Sequence, residues 1–261
     1  MANDDEPEEK LAEGTLISHL LELRNRLIKA GIAWVIVFLP CAYYSNALFE
    51  MVARPIKAKL PPDSHLIATG VITPFITPFK LAMYVALFIA MPYVLYQIWA
   101  FVAPGLYRHE KRFALPLVVS SICLFYAGMA FAYFAVFPVV FGFMVTTTPK
   151  GILMMTDISQ YLDFVMRLFL AFGVAFEAPI AVVLLATTGL VSVEKMASNR
   201  GYVLVAITVA AAALAPPDAI SMIIMAVPMY LLYEAGLFFA KVAVKAKMRR
   251  EAQDQETAKA Q

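Results

Sequence analysis

From Thr15 onward, Leu16, Leu20, Leu23 and Leu27 recur at helical spacing, with Ile17, Leu21 and Ile28 beside them and His19, Glu22, Arg24 and Arg26 on the other face. That period predicts an amphipathic helix over residues 15–29, lying along a membrane surface before it turns into a span. By periodicity alone it reads as an interfacial anchor. The residues before it, 1–14, carry Asp4, Asp5, Glu6, Glu8 and Glu9 and are expected to form a disordered acidic tail. With no basic start and no cleavage site, residues 1–29 do not read as a removable signal peptide.

Long uncharged runs follow. Ala30 to Phe49 is 20 residues without a formal charge, Leu81 to Tyr107 is 27 and Phe113 to Pro149 is 37. A bilayer's hydrocarbon core of ~30 Å needs about 20 apolar residues, so each run is long enough to cross. The spans are expected at about 30–49, 81–102, 113–138, 161–188, 201–215 and 219–240, within a membrane domain of residues 30–240 and ahead of a basic, then polar and disordered, tail of 241–261. Between spans one and two, Pro55, Pro61, Pro62, Pro74 and Pro78 forbid a long helix. Pro92 should kink span two or break one of its ladder bonds. Pro216-Pro217 leaves span five only about 15 residues, ~22 Å of helix, which is short for a bilayer.

Span four is unusual because Asp163, Arg167 and Glu177 all fall in it. Asp163 and Arg167 lie four apart on one face and neutralise each other. Arg167 is ten residues from Glu177, roughly 15 Å along an ideal helix, too far to reach it. A lone ionised acid at this depth costs about 2.5–3.5 kcal/mol on insertion scales, so Glu177 should face a polar cavity or stay protonated. Pro179, two residues on, frees a backbone carbonyl in the same region.

Composition agrees with the runs. The chain is 62% hydrophobic and 15% charged, with mean hydropathy +0.75, against roughly 25% charged in soluble domains. Fifteen of the 21 Lys and Arg fall on the segments that would be cytoplasmic with the N-terminus inside, and five on the external ones. By the positive-inside rule both termini are cytoplasmic. A net charge of +2 held in short juxtamembrane clusters argues against a nucleic-acid partner. Cys41 and Cys123 lie within apolar runs and read as small hydrophobes.

The loop Phe101 to Arg112 is the densest polar feature between two spans. Glu110, among Arg108, His109, Lys111 and Arg112, suits bidentate capture of a guanidinium. Charges alone favour a basic anchoring loop with one glutamate in local ion pairs. No phosphate-binding G-x-x-x-x-G-K-[ST] loop occurs, so any work must draw on another energy source. His109-Glu110 lacks the second histidine of a zincin site, since Phe113 stands there, and no G-x-S-x-G elbow appears. An enzyme, a metal centre and a bound cofactor are all unsupported.

The chain resembles the TatC family, the multispanning receptor subunit of the twin-arginine protein translocase, over about residues 15 to 245. The resemblance rests on His19-Leu-Leu-Glu22-Leu-Arg24-Asn-Arg26, on Thr73-Pro-Phe75-Ile-Thr-Pro78-Phe-Lys80, and on Gln97-Ile-Trp99-Ala-Phe101-Val-Ala-Pro104-Gly-Leu106-Tyr107-Arg-His-Glu110-Lys-Arg112. Phe172-Gly173 through Glu177-Ala-Pro179, and Ala-Pro216-Pro217-Asp218, add to it. Each motif is weak alone; six spans carrying them in this order are specific.

The resemblance implies an all-α, polytopic integral membrane protein with six transmembrane helices, both termini cytoplasmic, and a concave receptor-like bundle whose fifth and sixth helices are short. It implies a receptor that binds the twin-arginine signal peptides of folded precursors and organises single-span partner subunits of the TatA and TatB type for export driven by the proton-motive force. Several copies would sit within a hetero-oligomeric complex, surrounded by membrane lipid. Glu22 and Glu110 would receive the arginines, with Leu20, Arg24, Phe101, Leu106 and Arg112 shaping the site. Glu177 would line the membrane face along which the signal inserts, Pro55 and Phe75 would order an external cap, and Asp218 would sit in the outer turn of the short helices. One departure bears on partner docking: Ala212, Ala215 and Met222 stand near the outer ends of spans five and six, where family members often carry polar side chains. The acidic tail and absent transit peptide favour a bacterial inner membrane. The rival reading is a proton-coupled solute permease relaying protons through Glu177 and Glu234; a scaffold with no peptide site would tolerate Glu22→Ala and Glu110→Ala.

Overall fold

A computed structural model of the chain describes residues 6–57, 66–106, 114–147, 156–215 and 218–259. The described residues are helical apart from short turns and one pair of two-residue strands. Five stretches are long and apolar enough to cross a bilayer: Ile17–Tyr43, Thr73–Val102, Leu115–Phe143, Ile158–Thr187 and Ala219–Arg249. A sixth apolar helix, Arg200–Leu214, has 15 residues, the short fifth span expected from Pro216-Pro217. The chain divides into two compact units, residues 1–60 with 70–122, and residues 61–69 with 123–261.

In the first unit, α1 (Glu6–Tyr43) is one helix of 38 residues, so the expected surface helix and first span are continuous and take in part of the expected tail. Pro7 falls at the helix start, where its missing N–H is no loss. Beyond it α1 meets no proline until Pro40, so nothing in the sequence forces a turn near residue 29. After the single turn residue Tyr44, α2 (Ser45–Lys57) follows, and α3 (Thr73–Leu106) packs against α1. α3 runs unbroken through Pro92; Pro74 and Pro78 lie in its first two turns, the first of which has orphan donors anyway. Trp34 Nε1 donates to the Met83 carbonyl at 3.2 Å, and the buried Trp99 donates to Ser121 Oγ at 2.7 Å.

The second unit shows what proline does to a span. The third span, residues 114–122 of which belong to the first unit, is α4 (Ala114–Phe131), a π-helical turn (Ala132–Val136) and α5 (Phe137–Thr147), so helix continues well beyond the expected end at 138. The Phe137 N–H reaches back five residues to the Ala132 carbonyl. This wider turn lies directly before Pro138, whose ring would crowd a regular preceding turn. The fourth span breaks instead: α6 (Ile158–Ala175) stops at Phe176 and Glu177, and α7 (Ala178–Thr187) restarts with Pro179 in its first turn. Gly189, at φ 75°, takes the left-handed conformation that ends α7.

After α8 (Val193–Ser198) and α9 (Arg200–Leu214), α10 (Ala219–Lys259) is 41 residues long. The expected disordered tail of 241–261 is therefore helical to Lys259, because residues 241–259 are rich in Ala, Lys, Glu and Gln and hold neither Gly nor Pro. α10 packs on α7 around buried Val182, Ala186, Tyr233, Leu237 and Ala240.

A parallel pair of short strands, β1 (Leu66–Ile67) and β2 (Thr156–Asp157), sits beside the start of α6. Asp157 is buried there and accepts from the Thr69 hydroxyl, from the Thr69 N–H at 3.0 Å, and from the Ser159 and Gln160 N–H groups at 2.9 and 3.1 Å. The Thr69 hydroxyl and amide first, then the α6 amides, favour the charged carboxylate and hold it down at about 2, below its ordinary 3.8. A depressed carboxyl stabilises the fold above its unfolded value and loses that contribution as pH falls through its folded one. The Asp157 contribution should therefore be intact at neutral pH and fade between about pH 4 and pH 2. Asp157→Ala is expected to cost about 1–2 kcal/mol by loss of the cap and the Thr69 bonds. Thermal melts of the detergent-solubilised protein at pH 7 check the loss, and melts toward pH 2 should bring wild type and variant together.

Candidate functional site

The amphipathic stripe of α1 packs the opposite way to a soluble helix. Leu20, Leu23 and Leu27 are exposed, Leu27 to 71%, while the half-buried Glu22 and Arg26 turn toward α3. Where the surroundings are lipid, apolar side chains need no protein cover, and polar ones are better satisfied against a neighbouring helix.

On that polar face two helices build one cluster. The His19 ring stacks on Phe101 of α3 with centroids 4.3 Å apart and planes 22° from parallel. Arg26, one turn on from Glu22, donates Nε to Glu22 Oε1 at 2.9 Å and Nη2 to the same oxygen, and Nη1 reaches Gln97 Oε1 of α3 at 3.4 Å. Both guanidinium bonds thus land on Oε1. Glu22 keeps 38% of its side chain exposed, against 24% for Arg26. The cluster holds a half-open carboxylate that already binds one guanidinium, with the Gln97 amide on that guanidinium and the His19–Phe101 stack one turn away.

Of the residues singled out in the sequence, Glu22 and Phe101 both belong to this α1–α3 cluster, Glu22 through Arg26 and Phe101 through His19. Leu20 and Arg24 lie around the helix from them, both exposed, and Arg24 donates to Asn25 at 3.4 Å. Leu106 closes α3, while Glu110 and Arg112 lie outside the described residues. His19 and Arg26 lie on the polar face of the predicted amphipathic helix and Gln97 in span two; the spacing of Glu22 and Arg26, four apart on a helix, is the sequence signal for their pairing.

Glu177 lies at the α6–α7 break, half-buried, and its carbonyl accepts from the Ala181 N–H at 3.0 Å. Asp218 caps α10 by accepting from the Ser221 N–H at 2.6 Å. Phe75 is 68% exposed and, with Tyr43, Ser45 and Phe79, lines a groove where α1, α2 and α3 meet; Pro55 stands in the last turn of α2. Ala212 is exposed, and Ala215 and Met222 half-buried. Glu234, the second carboxylate of the rival relay, is committed elsewhere: it takes a bidentate pair from Arg200 at 2.6 and 2.9 Å and a bond from the Tyr230 hydroxyl at 2.8 Å. A carboxylate locked in a bidentate guanidinium pair is a poor proton carrier. Among the described residues no group of three His, Cys, Asp or Glu is placed to hold a metal.

Residues 18–228 match the family model described as Sec-independent protein translocase protein (TatC). The TatC protein of Azotobacter chroococcum mcd 1 is 53% identical over 224 residues, covering 86% of this chain and 88% of that one. The TatC protein of Escherichia coli strain K12 is 50% identical over 236 residues, covering 90% and 92%. A crystal structure of the twin-arginine translocase receptor TatC is similar at a TM-score of 0.76 and 39% identity, covering 86% of this chain and 99% of that one.

Proposed function

Because the chain belongs to the TatC family, and so is a multispanning translocase component and not an enzyme, we propose that it is the subunit that reads twin-arginine signal peptides. The observation that carries this reading is Glu22, a half-exposed carboxylate that already holds the Arg26 guanidinium through one oxygen, one turn along α1 from His19, which stacks on Phe101. An incoming arginine finds a carboxylate of matched charge with a free oxygen, and an aromatic pair one helical turn away.

Glu22 and Glu110 each receive one arginine of the signal, with Leu20, Arg24, Phe101, Leu106 and Arg112 shaping the cleft. Two carboxylates from separate segments explain why a pair of arginines, rather than one, is recognised. The apolar part of the signal then follows the membrane face that Glu177 lines, where the α6–α7 break gives the helix a polar backbone step. Pro55 and Phe75 order the external cap, and Asp218 starts the last span outside the membrane. Both termini lie in the cytoplasm of a bacterial inner membrane, as the Lys and Arg distribution favours. The surface helix, six-span domain and basic tail then act as reader, guide and cytoplasmic extension. Single-span partners pack on the short span five and on span six, where Ala212, Ala215 and Met222 make the contact largely apolar, and several copies of the chain share one complex.

Export from membrane vesicles tests this. Vesicles carrying the chain and its single-span partners should move a folded twin-arginine reporter and stop when the proton gradient is collapsed. The chain alone should move neither the reporter nor a small solute; solute uptake by the chain alone would contradict the receptor reading.

A further inference from the structure

We propose that Lys241, Lys245 and Arg249 of α10, continuous with exposed Phe238 and Val242, form a binding site for anionic phospholipid headgroups where the helix leaves the bilayer. The five residues follow one ridge of the helix at spacings of three or four. All five are exposed, Phe238 to 64% and Val242 to 54%. The opposite side is taken: Tyr233, Leu237 and Ala240 are buried against α7 and α8. A Cβ on Gly236 would lie 2.9 Å from Pro179 Cα, so the two backbones are in close contact. Lys247, also on the packed side, donates to the Thr187 carbonyl at 3.0 Å. The rotation of α10 is therefore set, and the ridge points away from the protein.

Depth completes the geometry. From Ala219 to Ala240 the helix rises ~33 Å, which fills a hydrocarbon core of ~30 Å. Lys241 then stands at its edge, Lys245 ~6 Å farther and Arg249 ~12 Å farther. The headgroup layer adds roughly 5–8 Å on each side, so the two ammonium groups fall within it and the long Arg249 side chain can reach back. Phe238 and Val242 place acyl chains against the same ridge. Among residues 219–249 the single carboxylate is Glu234, which lies lower on this ridge and is neutralised by Arg200. Between Phe238 and Arg249 nothing of like charge on the ridge repels a phosphodiester.

Positive-inside topology also puts cations here, but it asks only for charge on one side of the membrane and not for a face of the helix. Two variants with the same change in charge separate the ideas. The purified full-length protein is equilibrated with equimolar phosphatidylglycerol and phosphatidylcholine, and the lipid retained is read by native mass spectrometry. Wild type should prefer phosphatidylglycerol. Lys245→Gln should lower that preference about fivefold, and adding Lys241→Gln and Arg249→Gln should abolish it. Lys247→Gln, on the packed face, should leave it unchanged, and inorganic phosphate should not displace the lipid. Equal effects of Lys245→Gln and Lys247→Gln, the absence of any preference in wild type, or displacement by inorganic phosphate would overturn the proposal.

Discussion

Gly173→Leu is expected to prevent the second unit from reaching its native packing. A Cβ built on Gly173 lies 2.5, 2.7 and 2.9 Å from three carbons of the Phe125 ring, well inside van der Waals contact. The ring has nowhere to go, because Phe125 is 0% exposed and so is the neighbouring Phe172. Gly128 meets the same helix from the other side: its Cβ would lie 2.9 Å from the Phe172 carbonyl carbon and 3.0 Å from Phe176 Cβ. Small residues at both places let α4 and α6 approach closely, which is how helices associate where no hydrophobic effect drives them together. Overpacking a tight core costs typically 1–3 kcal/mol for a few added atoms, and a whole leucine side chain exceeds that. Gly173→Leu should thus lose the monodisperse detergent-solubilised peak in size-exclusion chromatography, while Gly173→Ala should retain it with a lowered Tm. A native Tm for Gly173→Leu would mean that α4 and α6 do not pack as described.

Glu22→Gln is expected to weaken binding of a twin-arginine signal peptide by about one to two orders of magnitude, since a hydrogen-bonded charge contributes about 1.5–3 kcal/mol and 1.4 kcal/mol is tenfold. The glutamine keeps the shape and still accepts a hydrogen bond, so the loss isolates the charge. Arg26 is the control. Its bonds to Glu22 are an i,i+4 pair on a part-exposed helix face, worth a few tenths of a kcal/mol. Arg26→Gln should change affinity by less than about threefold. Titration of a labelled peptide into both variants checks this. If Arg26→Gln were as damaging as Glu22→Gln, the pair would act as one structural unit and Glu22 would not be the receiving group.

Much of the fold was legible because membrane spans announce themselves by length and charge, which depend on no neighbour. The break beside Glu177 was foreshadowed by Pro179, and the short α9 by Pro216-Pro217. What escaped was decided by packing or by competition between local rules. Lys241 to Lys259 looked polar enough for a disordered tail, yet its helix formers and the Lys247 bond to Thr187 keep α10 continuous. The π-turn before Pro138 solves a steric problem that could equally have ended the helix. The outward-facing leucines of α1 followed a correct period whose direction only the packing of α3 reveals. For the same reason Glu22 stood out as a charge on a helix, whereas its neighbours Gln97 and Phe101, some 70 to 80 positions away, could not be joined to it by spacing.

The proposed recognition of an arginine pair rests on Glu22, midway along α1, and on Glu110, in the segment after α3. Its most direct test is the affinity of a twin-arginine signal peptide and of its twin-lysine version for wild type and for Glu110→Ala. Lysine offers a point charge where the guanidinium offers a planar fork, so wild type should favour arginine clearly and Glu110→Ala should lose most of that preference. If both peptides bind wild type and Glu110→Ala alike, or neither binds, Glu110 is only a surface charge and this account of recognition is contradicted.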